Sequence, residues 1–256
     1  MYGCVKGGNN LKIKLFLALL FMKRIYCNSI IKQGSTYELE KKYYIHLVKV
    51  IRLKIGDEIS LFNNISGEWK CEIIDIKKNF LKAKSISQIS APRAETLIDL
   101  MFSPIKYQNS ESIIRQSTEM GVRCLFPTSF NRTINTKINL DKFNTYAVGA
   151  AQQSGRLSIP NIDKLIDLKD RSNIMSSKTV LMFDENLKGI HLSQAKVKPN
   201  SEILVVIGPE GGFEEDERAL ISGSSKNFFN VSLGPNILKA DTAVIAALSL
   251  TFHYFS

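Results

Sequence analysis

At 256 residues and 28.8 kDa, with 44% hydrophobic and 23% charged residues, the chain has globular composition and room for one large or two modest domains. That balance excludes a largely disordered chain. No apolar run nears the roughly 20 residues of a membrane-spanning helix; the longest, Leu15 to Met22, has eight. The formal charge of +10 is unevenly placed: residues 1–90 carry 16 Lys and Arg against 7 Asp and Glu, and residues 91–256 carry 18 against 17. A basic first third suits a polyanion-binding module beside a neutral chemistry module. A solvated lysine-rich surface is the plainer alternative, and charge alone does not decide between them. Cys4, Cys27, Cys71 and Cys124 form no C-x-x-C pair, and His46, His191 and His253 stand apart. They make neither a metal finger nor a disulfide framework, so a reduced, cytoplasmic compartment is expected, with no metal.

Residues 1–21 superficially resemble a signal peptide, with Lys6, Lys12 and Lys14 before a short apolar run. No small-x-small cleavage site follows, and Met22 reads as the true start, with 1–21 an extension. From Ile25 to Ile89 short strands dominate. Asp57–Phe62 and Glu68–Ile73 alternate as half-buried strands, joined through Asn63–Gly67 as a hairpin, and Phe80–Ile86 offers another strand. Glu40–Leu53 alone reads as helical, with Tyr44, Leu47, Val48 and Ile51 at helical spacing and Lys41, Lys42, Lys49, Arg52 and Lys54 alongside. A small, basic, mainly β domain, a partly closed barrel, therefore occupies residues 22–90. Ser85–Arg93 is its linker to residues 91–256.

Beyond the linker the rhythm becomes βα. Thr96–Phe102 and Cys124–Pro127 are strands, while Asn109–Met120 and Leu140 to about Ser154 are helices. Thr179–Phe183, Ile203–Ile207 and Phe228–Leu233 are near-continuous apolar runs, the signature of parallel strands covered on both faces. Thr242–Phe255 is a helix apolar nearly all round, which needs burial in the core or against another subunit.

Three stretches carry candidate chemistry. Ile207-Gly208-Pro209-Glu210-Gly211-Gly212-Phe213 leaves a buried strand and enters a helix, which puts it at the ligand-binding carboxyl edge of an α/β sheet. It matches neither G-x-x-x-x-G-K-[ST] nor G-x-G-x-x-G. The next residues, Glu214, Glu215, Asp216 and Glu217, compensate a helix dipole and would repel a polyphosphate. The loop suits a neutral or cationic ligand, and the sulfonium of S-adenosylmethionine (SAM) fits better than NAD or ATP. Leu233–Thr242 is a second strand-to-helix loop, with Asp241 or Thr242 placed as a helix cap and Lys239 as a phosphate or substrate contact. Gln152–Pro160 reads as a helix end, with Arg156 able to reach a site. Ser154 has no histidine near it in sequence.

Together these stretches resemble the RsmE-type 16S rRNA (uracil-N3) methyltransferases of the SPOUT superfamily. The matching blocks are G-P-E-G-G-F at Gly208–Phe213, L-G-x-x-I-L-K-x-D-T-A from Leu233, and Q-S-x-R at Gln153–Arg156. Thr118–Val122 followed by Pro127 and Arg132, and His46–Asp57, resemble two further family blocks. The resemblance, from Met22 onward, implies a PUA-like RNA-binding β-barrel followed by an α/β domain with a trefoil knot, an obligate homodimer and SAM as methyl donor. It implies a uridine of 16S rRNA, within the small ribosomal subunit, as substrate.

It also implies a donor site formed mostly by backbone groups of Ile207, Gly208, Gly211, Gly212, Leu233, Ile237 and Leu238, with Thr242 close by. RNA contacts are expected from Lys49, Arg52, Lys54, Arg132 and Lys239. Arg156 would stabilise developing negative charge, and Asp241 or Glu210 would take the N3 proton. Gln116, Gln152, Asn236, Lys239 and Asp241 depart from the residues usual in the family, and Lys lacks the bidentate fork of Arg. These departures keep two alternatives open: a catalytically degenerate RNA-binding homologue, and a SPOUT methyltransferase acting on another RNA.

Overall fold

Alternating apolar and polar residues in the first ninety positions pair into one five-stranded sheet. The computed structural model describes residues 23–105, 107–134, 137–184, 189–225 and 227–255; the expectation for residues 1–21 lies outside them. Two compact units meet between Arg93 and Ala94. In the first, the strands are β1 (Lys23–Tyr26), β2 (Thr36–Leu39), β3 (Glu58–Asn63), β4 (Gly67–Lys77) and β5 (Phe80–Ser90), ordered β1-β3-β4-β5-β2. β1 and β3 are parallel and the other pairs antiparallel. Among the described residues the end strands β1 and β2 do not pair, so the sheet is open along that seam.

Asn63 fixes the β3–β4 turn, its Oδ1 accepting from the Ile65 and Ser66 amides at 3.0 and 2.6 Å. Helix α1 (Lys41–Tyr44) continues as a π-helical stretch, Ile45–Val50. It buries Leu47 against Ile25, Ile59, Leu61 and Leu81 and leaves Lys41, Lys42 and Lys49 exposed. The helix expected to reach Leu53 stops earlier, because Arg52 adopts a left-handed φ of 66° that no helix accommodates. The expected linker is also shorter. β5 runs to Ser90, and the bare Cα of Gly67 lies against the Ser90 backbone.

The second unit is a parallel sheet. Its strands are β6 (Ile98–Phe102), β7 (Cys124–Ser129), β8 (Asn161–Ile162), β9 (Ile166–Asp167), β10 (Thr179–Phe183), β11 (Ile203–Ile207) and β12 (Asn227–Val231). The order is β12-β10-β11-β6-β7-β8, with β9 also paired to β7. Alternate side chains go to opposite faces: Leu100, Leu181 and Val205 enter one core, Met101, Val180 and Leu204 the other. Burial on both faces is why these runs are continuously apolar, each large side chain contributing ~1.5–3 kcal/mol.

The helices are α2 (Tyr107–Met120), α3 (Leu140–Ser154), α4 (Ser172–Ser176), α5 (Glu215–Ser224) and α6 (Ala240–Phe255). α6 buries Val244, Ala247, Leu248 and Thr251 but leaves Ile245 and Tyr254 exposed, so the core covers only part of its apolar surface. No helix of the described residues is long and apolar enough to cross a membrane.

Four charged side chains clip the amino ends of the central strands. The fully buried Asp99 carboxylate accepts from Arg123 Nε at 3.0 Å and Nη2 at 2.8 Å, and pairs with Lys178 Nζ at 2.9 Å. Glu202 accepts from Arg123 Nη2 at 2.6 Å and from Lys178. The hydrogen bonds from Arg123 and Lys178 hold the Glu202 carboxyl down at about 2.

Candidate functional site

The carboxyl ends of β12, β10 and β11, which are neighbours in the sheet, open into a cavity of about 340 Å³. Its floor is Phe183 and Ile207. One wall is Gly208, Pro209 and Glu210, and the other runs from Leu233 and Gly234 through Asn236–Ala240 to Ala243 on the first turns of α6. A volume in this range holds a nucleoside-sized molecule. Ile237, 73% exposed, presents a large apolar side chain at the edge of this space.

The glycine-rich loop is held from below. A Cβ on Gly208 would stand 2.8 Å from the Phe213 ring, which is itself buried and meets Phe130 edge-on at 5.5 Å. Gly212, at φ +75°, turns the chain back so that its amide donates to the Pro209 carbonyl at 2.9 Å. The acidic run that follows is a capping device. Glu217, buried, accepts from the Glu214 amide at 2.8 Å and from the Asn131 amide at 2.7 Å, completing a capping box. Asp184, just past the end of β10, is a lining residue whose side chain is fully buried, its carboxylate accepting from Arg218 Nε at 2.6 Å and Nη2 at 3.2 Å.

Of the residues expected from the sequence, Ile207, Gly208, Glu210, Leu233, Ile237, Leu238 and Lys239 line the cavity together. Gly211 and Gly212 shape the loop from behind it. Asp241 and Thr242 are on the α6 turn that supplies Ala240 and Ala243, outside the lining; the Asp241 carboxylate accepts from the Thr242 amide at 2.9 Å, a capping contact.

Arg156 is elsewhere. Its Nε donates to Ser158 Oγ at 2.9 Å and its Nη1 to the Thr118 carbonyl at 3.0 Å, at the carboxyl end of α2. Glu95 and Cys124, which lead into β6 and β7, are its electrostatic neighbours. Arg156 is therefore at the amino edge of the sheet, opposite the cavity of its own chain. Burial pulls its pKa down to about 10, which leaves it cationic at neutral pH.

Lys49, Arg52 and Lys54 are exposed on the first unit. Arg132, also expected to contact RNA, is half exposed and donates from Nη1 to the Gly211 carbonyl at 2.7 Å and from Nε to Glu214 at 3.2 Å. Sequence reading missed Phe183, Asp184, Pro209, Gly234, Asn236, Ala240 and Ala243 as lining residues. Asp184 was within reach, since it follows an apolar run as the other loops do, but the adjacency of β10 to β11 and β12 is not written in local sequence. Among the described residues no group of three or more His, Cys, Asp and Glu side chains is placed to hold a metal ion.

Residues 92–251 match the model of the RNA methyltransferase domain, and residues 44–84 that of the RNA methyltransferase PUA domain. The ribosomal RNA small subunit methyltransferase E of Rickettsia conorii is 34% identical over 231 residues, 88% of this chain and 93% of that protein. The chain belongs to the ribosomal RNA small subunit methyltransferase E family.

A Legionella pneumophila protein described as a methyltransferase, solved with bound SAM, is 26% identical with a TM-score of 0.81, covering 91% of this chain and 98% of that one. The methyltransferase E of Neisseria gonorrhoeae, solved with S-adenosyl methionine, shares the fold at a TM-score of 0.81 and 22% identity over the same shares. Within this chain, the match to the RNA methyltransferase domain spans the described cavity lining and Arg156, and the match to the PUA domain spans the exposed Lys49, Arg52 and Lys54.

Proposed function

We propose that the protein transfers a methyl group from SAM to N3 of a uridine in 16S ribosomal RNA, acting in the cytoplasm on the small ribosomal subunit. The observation that carries this reading is the cavity itself, in a chain of this RNA methyltransferase family. Two glycine-containing loops, apolar Ile207, Leu233, Ile237 and Leu238, and the acidic residues Asp184 and Glu210 surround it, with Lys239 as the one cationic residue among the described lining residues. Such a lining favours a flat heterocycle joined to a cationic centre and disfavours a polyphosphate. The residues present thus fit SAM, which when bound supplies an electrophilic methyl on a sulfonium.

The chain's own groups do the rest. Pro209, Glu210 and the 233–240 loop align donor and base, so proximity supplies much of the acceleration. The uridine N3 proton must leave as the N–C bond forms and the S–C bond breaks. Glu210, at the cavity wall, is the group placed to accept it; Asp241, already capping α6, is the second candidate. Arg156 would stabilise the negative charge that spreads over the uracil.

Because Arg156 faces away from its own cavity, this role requires a second copy, and we propose a homodimer in which each chain's Arg156 serves the other's cavity. The exposed Ile245 and Tyr254 on α6 support such a contact. The threaded carboxyl-terminal helix of the SPOUT fold belongs to the same reading. Exposed Lys49, Arg52 and Lys54 would bind RNA phosphate from the first unit.

The test is tritiated methyl transfer from SAM to small-subunit particles lacking the modification, followed by nuclease digestion. Label in 3-methyluridine is the expected result. Label in another nucleoside overturns the N3-uridine assignment, donor binding without transfer points to a different RNA, and absence of both supports a degenerate RNA-binding homologue.

A further inference from the structure

Residues 130–133, the loop leaving β7, grip the glycine-rich loop at three points. The Phe130 ring meets Phe213, whose ring lies under Gly208. The Asn131 amide donates to Glu217 at 2.7 Å, and its Nδ2 donates to Glu214 at 2.8 Å. Arg132 Nη1 donates to the Gly211 carbonyl at 2.7 Å, and its aliphatic stem lies so close that a Cβ on Gly211 would stand 3.2 Å from its Cδ. Thr133 closes the turn, accepting from the Phe130 amide at 2.8 Å and pairing with Ser103 at 2.9 Å.

The residue beside the gripped carbonyl is Glu210. It lines the donor cavity on one side and, with Pro209, a shallow cleft of Ser103, Pro104, Ile105, Arg132 and Ile134 on the other. Pro209 and Glu210 are thus the partition between two hollows, and Gly211 follows them directly.

We propose that Arg132 is a positioning residue for methyl transfer, holding the Gly211 carbonyl so that Glu210 keeps its place between donor and acceptor. This rests on the reading of the cavity as the donor site. Arg132 is 53% exposed, and an exposed pair such as Arg132–Glu214 contributes little to stability. Its effect falls on geometry, where small displacements are costly to rate.

Arg132→Ala is expected to lower kcat on the order of tenfold to a hundredfold while the KM for RNA stays within about twofold. Arg132→Lys recovers part of the rate, since an ammonium can reach the carbonyl but cannot reproduce the fork. Amide hydrogen exchange across residues 208–214 is expected to speed up in the Ala variant, above all at Gly212. A raised KM for RNA with kcat intact, and a salt slope reduced by about one, would mark Arg132 as a phosphate contact and overturn the proposal. If the unaltered protein transfers no methyl, the function proposed above fails. The exchange measurement then tests the hold on the loop separately: lost protection of 208–214 in Arg132→Ala upholds the hold and confines the failure to the function proposed above, and unchanged protection overturns both. Should the Ala variant not fold, Arg132→Lys is read by the same two measurements.

Discussion

Gly208 sits where the donor-site wall has no room for a side chain. The Phe213 ring that a Cβ would strike is packed against Phe130 and cannot swing away freely. Gly208→Ala should therefore weaken SAM binding roughly fivefold to a hundredfold, the equivalent of ~1–3 kcal/mol of overpacking, in a calorimetric titration. Arg156 behaves in the opposite way. It is at the opposite edge of the sheet from its own chain's cavity, so Arg156→Ala should leave SAM affinity within about twofold while methyl transfer falls on the order of a hundredfold or more. Equal losses in binding and transfer would remove Arg156 from the chemistry. At this scale much was legible: Q-S-x-R and G-P-E-G-G-F point to their residues without a structure. What Arg132 does was not legible, because its partner is the carbonyl of Gly211, and a backbone acceptor leaves no mark in sequence.

Elements in the second unit are tied at both ends of the sheet. At the amino edge, the Asp99, Arg123, Lys178 and Glu202 network joins β6, β7, β10 and β11. The Glu202 pKa is depressed, so its contribution is present above the ordinary carboxylate range and is lost as pH falls towards about 2. Thermal melts should show Glu202→Gln losing its difference from the unaltered protein as pH drops from about 4.5 to 2. Its partial exposure keeps that difference small. At the carboxyl edge, Glu217 satisfies two backbone amides from within the protein. Glu217→Ala removes the acceptor from two part-buried amides and should cost ~1 kcal/mol, the size of a lost helix cap, lowering Tm by a few degrees in calorimetry. The acidic run from Glu214 was legible as dipole compensation; the bond from Asn131, 86 positions earlier in the chain, was not.

The whole molecule separates charge from chemistry. The surplus of positive charge falls in residues 1–90, and the donor cavity is built entirely from the second unit. Replacing Lys49, Arg52 and Lys54 together with Glu should raise the KM for RNA and flatten its salt dependence, with SAM affinity unchanged in equilibrium titration. Dimerisation can be tested by complementation: at a SAM concentration too low to fill the Gly208→Ala cavity, mixing Arg156→Ala with Gly208→Ala chains should raise activity above that of either alone, because one cavity of each mixed dimer keeps both an intact Gly208 and an intact Arg156. No restoration would place each site within a single chain.

By itself the sequence determined the five longer strands of the parallel sheet but not the two-residue β8 and β9, since apolar runs such as Thr179–Phe183 and Ile203–Ile207 can only be covered on both faces, and it determined the residues of both glycine-containing loops. Only the tertiary structure decided which strand ends are neighbours, and hence that Asp184 joins the cavity while Arg156 faces the other edge. Strand order and the side of the sheet on which a residue emerges are set by long-range pairing, and local hydrophobic period does not encode them.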